Sequence, residues 1–189
     1  LEKRKPSLGK WREAYIKEAL EDLCPNANFV ISSFDHYGKR QRYKTEIDDS
    51  THSIYSPGYV KNISLIRIID SLVFALQLYF YIFKRRKRLK CVIATYPTPE
   101  TLFIASILNK NFILVCDVRD AWPDYSPTLG IKAKLFAAYV RLLNKYSFAR
   151  VDKFISMSSR LRSFVNEYSQ KDVKVIPNPI EADIKNHAY

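Results

Sequence analysis

Between Lys10 and Leu23 the apolar residues Trp11, Tyr15, Ile16, Leu20 and Leu23 recur at helical spacing behind Ser7 and Gly9, which predicts an amphipathic helix. Asn28 to Ser33 is a short β-branched run closing on small polar residues, and it predicts a strand. The polar, basic stretch FDHYGKRQRYK follows with Gly38 at a turn and predicts a long loop, and a weaker strand is expected over His52 to Ser56, ended by Pro57 and Gly58. From Asn62 to Lys90, Ile63, Ile66, Ile69, Val73, Leu76 and Phe80 mark one helical face, interrupted by Arg67, Asp70 and Gln77. Its least interrupted part, Leu72 to Phe83, is shorter than the roughly 20 residues a bilayer span needs, so a buried or membrane-facing helix is expected.

The second half alternates between short apolar runs and longer periodic ones. Cys91 to Thr95, Phe112 to Asp117, Lys153 to Met157 and Val173 to Ile176 predict buried strands, and Pro99 onward, Ile131 to Phe148 and Ser158 to Ser169 predict helices. Thr98 is placed to cap, Pro99 to fill the first turn and Glu100 to complement the helix dipole. This order predicts an α/β fold, a parallel sheet with helices on both faces, whose ligands bind at the carboxyl ends of the strands.

The residues just past those strands are Ser32, Ser33 and His36; Tyr96 and Thr98; Asp117, Arg119, Asp120 and Trp122; Ser156 and Ser158; and Asn178. Hydroxyls, carboxylates and an arginine on one edge suit a polyhydroxylated ligand, and Arg119 can hold phosphate in bidentate fashion. Taken singly, Asp and Ser after strands also cap helices. DVRDAWPD, from Asp117, is the most distinctive segment: an internal ion pair accounts for its charges, but its place after a buried strand makes it a candidate site.

Composition narrows the classes. With four scattered glycines among 189 residues, neither a GxGxxG turn nor a Walker A loop can be written. The three cysteines, Cys24, Cys91 and Cys116, form no CxxC or Cys/His pair, which points to a reduced, cytoplasmic, metal-free chain. A net charge of +12 favours a polyanionic partner, and Lys84, Arg85, Arg86, Lys87, Arg88 and Lys90 concentrate it directly after the apolar helix. Such a run beside an apolar face suits an anionic membrane surface, although a solvated end of a sheet-covering helix looks the same in sequence. Nucleic acid is not an expected partner, because QRYK is a poor version of interleaved aromatic and basic positions.

The segments VIATYPTPETLFIASILNK, FILVCDVRDAWPD, SSFDHYGKRQR, GYVKNISLIR and VKVIPNPIE, in this order, resemble the N-terminal half of a bacterial family 4 glycosyltransferase of the branch that builds surface polysaccharides. The resemblance implies one half of a GT-B architecture, two Rossmann-like domains facing across a cleft, with residues 1–180 as the acceptor-side domain and 181–189 as the start of an interdomain linker. It implies that an opening strand and a C-terminal donor-binding domain lie outside this sequence, and that the isolated chain is inactive. It implies a sugar moved from a nucleotide-sugar donor, without bound cofactor or metal, to a lipid-linked or glycan acceptor at the inner face of the cell membrane.

The same resemblance puts Gly9, Lys10 and Arg12 on the donor-phosphate side. Asp120 then positions the acceptor hydroxyl, and Arg119 stands where many members carry a histidine, so both are catalytic candidates. Acceptor contacts are expected from Ser33, His36, Lys39, Arg42, Tyr96, Thr98 and Trp122, with Asp35 in the same loop, and membrane contacts from Lys84 to Arg88. The alternatives are a membrane-recruiting subunit of a split glycosyltransferase, whose donor-binding partner is a separate chain, and a non-enzymatic basic adaptor.

Overall fold

The computed structural model describes residues 12–24, 26–42, 51–61, 64–123 and 130–178. Within them the chain runs α1 (Arg12–Leu23), β1 (Phe29–Ser32), β2 (Phe34–Asp35), β3 (Arg40–Gln41), β4 (Thr51–Ile54), α2 (Leu65–Arg85), β5 (Cys91–Tyr96), α3 (Pro99–Leu108), β6 (Ile113–Val118), α4 (Ile131–Phe148), β7 (Lys153–Ser156), α5 (Ser159–Asn166) and β8 (Val173–Val175). The fold is α/β of Rossmann type: β5, β6, β7 and β8 form a parallel sheet in that order, with Cys91 opposite Ile113 and Val115 opposite Lys153. β1 and β4 form a separate parallel pair with Phe29 opposite Thr51.

Three successive crossovers from β5 to β8 step in one direction across the sheet. Right-handed connections therefore place α3, α4 and α5 on one face, and α2 packs beside α3 in the same layer. Under them lies the core, where Phe148 meets Tyr96, Phe154, Phe164 and Tyr168 ring to ring. Strand alternation then decides what faces the other way. Cys116 and Val118 enter this core while Asp117 between them turns to the opposite face and meets α1; Val30 packs against the core while Phe29 lies under Lys17 of α1.

The helix expected from Lys10 is described from Arg12, and Trp11 lies outside the described residues. The loop after β1 is instead a tight hairpin, β2 antiparallel to β3, because Ser33 and Gln41 tie its base together at 2.9 Å. Two-residue strands carry too little periodicity to read in sequence. Thr98 stands before α3 but does not cap it; its hydroxyl donates back to the Thr95 carbonyl at 2.7 Å. Ser158 does cap α5, accepting from the Leu161 amide.

At 21 residues α2 is long and apolar enough to cross a membrane, longer than its least interrupted stretch suggests. It is nevertheless docked on the fold: Ala75, Leu78 and Ile82 are buried, and the buried Asp70 accepts from Ser56 Oγ and from the Gly58 amide.

Candidate functional site

Asp117 sits at the carboxyl end of β6 with no solvent exposure. A carboxylate there requires paired charge and filled hydrogen bonds. Arg12 supplies both, with Nη2 on Oδ1 at 2.9 Å and Nε on Oδ2 at 3.1 Å, and Arg119 adds Nε on Oδ2 at 3.0 Å. The remaining fork of Arg12 donates to the Ile176 carbonyl at 2.8 Å and reaches Asn178 Oδ1 at 3.5 Å. One guanidinium therefore pins the ends of β6 and β8 to the start of α1.

The same residues show which expectations come together. Arg12 and Arg119 are engaged on Asp117, so both build the floor of the carboxyl edge instead of projecting from it. Tyr96 also belongs to the floor: it has no exposure, its hydroxyl donates to the Trp122 carbonyl, and Asn144 Nδ2 donates to that hydroxyl at 2.8 Å. Burial pushes the Tyr96 hydroxyl far above its ordinary range, so it stays protonated. These bonds fix the loop that carries Asp120 and Trp122. Asp120 is exposed beside it.

The rim is built from cations and rings. His36 Nδ1 meets the Tyr59 hydroxyl, Lys39 Nζ stands 4.4 Å above the Tyr59 ring, and the Arg67 guanidinium lies 5.6 Å from that ring and 4.5 Å from the ring of Trp122. Guanidinium and ammonium groups over aromatic faces are held in place by the ring quadrupole. Burial first, then Lys39 and Arg67, hold His36 below its ordinary value, so near neutral pH it is uncharged. Burial raises the Tyr59 hydroxyl. Behind the rim, Tyr139 donates to Glu100 at 3.2 Å, and burial raises the Glu100 carboxyl above its usual range.

Gly58 makes the approach of this rim possible. Its φ is +88°, and a Cβ there would stand 2.6 Å from the Phe34 ring. Ser33 is occupied by Gln41 and by the Ser56 amide, and Arg42 pairs with Asp35 at 3.9 Å, so both hold the hairpin together. Thr98 is exposed at the start of α3. Lys84, Arg85, Lys87 and Arg88 are exposed at the far end of α2, with Arg86 half-buried over Phe83. Gly9, Lys10, residues 179–180 of the PNPI segment and the expected linker lie outside the described residues.

Tyr59, Arg67 and Glu100 were not candidates from sequence. Arg67 and Asp70 carried a signal, since they break an apolar run near the start of a helix. Tyr59 carried none beyond its place after Gly58. No known protein family matches the chain, and no curated protein is significantly similar to it. Among the described residues no cluster of histidine, cysteine or carboxylates has the makings of a metal site.

Proposed function

We propose that this chain is the acceptor-side half of a GT-B glycosyltransferase, one that moves a sugar from a nucleotide-sugar donor to a lipid-linked or glycan acceptor in surface polysaccharide synthesis. The observation that carries the reading is the contact of His36, Lys39, Tyr59, Arg67 and Trp122 beyond the carboxyl ends of parallel strands, where such folds bind ligands, with Asp120 exposed two residues before Trp122. A sugar presents one apolar face and a rim of hydroxyls, which suits a tryptophan ring held beside a guanidinium.

In this reading Asp120 accepts the proton side of the acceptor hydroxyl and orients it. The departing diphosphate takes the proton, so no strong base is required. Arg12 acts indirectly: by fixing Asp117, Ile176 and Asn178 it holds the strand ends rigid while the donor-binding domain closes. Lys10, two residues before it, is left for the donor phosphates. Peripheral attachment comes from α2 and Lys84 to Arg88 at the inner face of the cell membrane.

The test is transfer of labelled sugar from a panel of nucleotide-sugars to extracted membrane lipids by the chain joined to a donor-binding domain. Labelled lipid that disappears in the Asp120→Asn variant supports the reading. Transfer that is unaffected by Asp120→Asn and Arg67→Ala, or no transfer with any donor, contradicts it.

A further inference from the structure

His36 lies half-buried in the turn between β2 and β3, and its neighbours decide which ring nitrogen carries the proton. A neutral imidazole has one N–H donor and one lone-pair acceptor, and the bond made by one nitrogen fixes the role of the other. Two groups meet Nδ1: the Tyr59 hydroxyl contacts it, and Lys39 Nζ stands 3.5 Å from it. An ammonium can only donate. The Tyr59 hydroxyl, raised by burial, keeps its proton and donates as well. Both neighbours therefore require a lone pair on Nδ1. A carboxylate at Nδ1 would reverse this. The carboxylate nearest in sequence, Asp35, instead accepts from the Tyr37 amide at 3.0 Å and pairs with Arg42 at 3.9 Å.

The charges around the ring act in the same sense. Burial first, then Lys39 of the hairpin and Arg67 of α2, oppose a second proton, while Asp35 acts the other way and least. Tyr37 packs edge-on at 5.2 Å and adds no charge. Nε2 is left as the N–H. Among the described residues nothing accepts from it, so its bond goes to water or to a ligand.

We infer that His36 is held as the neutral Nε2–H tautomer and determines specificity as a hydrogen-bond donor to an oxygen of the bound sugar, with Tyr59 as the residue that positions it. The tautomer follows from the contacts alone. The sugar rests on the acceptor-side reading, which this inference deepens. Such a donor takes a hydroxyl or carbonyl oxygen and offers nothing to a protonated amine. It does not act as a base on the acceptor hydroxyl, because its one accepting nitrogen is already engaged by Tyr59. Orientation of the reacting hydroxyl is left to Asp120.

The experiment is long-range proton–nitrogen correlation NMR of the full chain with isotope-labelled histidine. It is recorded near neutral pH, alone and with methyl glycosides of hexoses, N-acetylhexosamines and hexuronates as probes. The spectrum of His36→Gln assigns the signals among the three histidines. A proton on Nε2, a bare Nδ1, and a shift of Nε2 on addition of at least one glycoside are expected. Tyr59→Phe should move part of the population to the Nδ1–H tautomer, and an unchanged spectrum overturns the role of Tyr59. His36→Asn should bind that glycoside about fivefold more weakly, as loss of one hydrogen bond predicts. His36→Gln, whose amide N–H falls near the place of Nε2, should retain more of the binding than His36→Asn. A ring protonated on Nδ1 or on both nitrogens, or an Nε2 that no glycoside moves, overturns the inference. Sugar transfer does not enter this readout: transfer that depends on Asp120 keeps the transferase reading standing whatever His36 shows, and glycoside binding at Nε2 without transfer overturns only that reading.

Discussion

Arg12 closes a fork on Asp117 from 105 residues away, Nη2 to Oδ1 at 2.9 Å and Nε to Oδ2 at 3.1 Å, with 6% of the arginine side chain and none of the carboxylate exposed. Removing one partner of a buried pair leaves an uncompensated charge, which costs about 3–5 kcal/mol. Arg12→Ala should lose about 3 kcal/mol in urea denaturation, the lower end of that range, because Arg119 still pairs with Asp117. Arg119→Ala should lose less, since its side chain makes one bond to Asp117 and is more exposed. A loss below about 1 kcal/mol for Arg12→Ala would show that the fork does not hold the strand ends.

Two glycines separate backbone need from chance. Gly58→Ala should destabilise by more than about 1 kcal/mol, because a positive φ and the Phe34 ring both oppose a Cβ. Gly130→Ala should cost less, within about 1 kcal/mol, since among the described residues nothing lies within 4 Å of the added carbon and only the helix cap is weakened. Equal urea midpoints for the two variants would remove the case for a built turn at Gly58.

Two groups shifted by burial should pull stability in opposite directions as pH changes. Glu100 is raised above 4.5 chiefly by burial, so the native state holds its proton more firmly than the unfolded chain does. Its contribution is complete below about 4.5 and is lost as pH rises through the folded value. His36 is lowered from 6.5 chiefly by burial, so the unfolded chain takes up the proton first and stability falls as pH drops below about 6.5. Glu100→Gln keeps an acceptor for Tyr139 and removes the first effect. Its melting temperature should gain on the parent with rising pH, and a difference that stays flat between about pH 4 and about pH 8 contradicts this.

The outer face of α2 should be dispensable for folding. Leu76 and Phe80 are 58% and 52% exposed, so Leu76→Glu and Phe80→Glu should each change stability by less than about 0.5 kcal/mol. The same variants should lose cosedimentation with anionic vesicles. Unchanged sedimentation would assign that face to a protein neighbour.

Helix α4 was legible to the residue, since Ile131 to Phe148 is one uninterrupted periodic run. The strands other than β2 and β3 were legible within a residue or two, because each is a short run between turn signals, whereas the β2–β3 hairpin read as a loop. The site was legible only as an edge. Tyr96 read as a ligand contact although strand alternation places it with buried Ala94 on the core side. Asp117, a carboxylate between Cys116 and Val118, announced a need for a buried cation, but no pattern in sequence named Arg12. Tyr59, Arg67 and Trp122 meet across loops whose path depends on the Gly58 turn and the Asp70 anchor, which hydrophobic periodicity does not encode.

The most direct test of the acceptor-side assignment is an amide-detected NMR titration of the chain, first with a lipid-linked sugar in nanodiscs and then with nucleotide-sugars. The account predicts that the lipid-linked sugar shifts His36, Tyr59, Arg67, Asp120 and Trp122 together, while nucleotide-sugars alone leave them unmoved. Shifts at those residues with nucleotide-sugar and none with the lipid-linked sugar would contradict it.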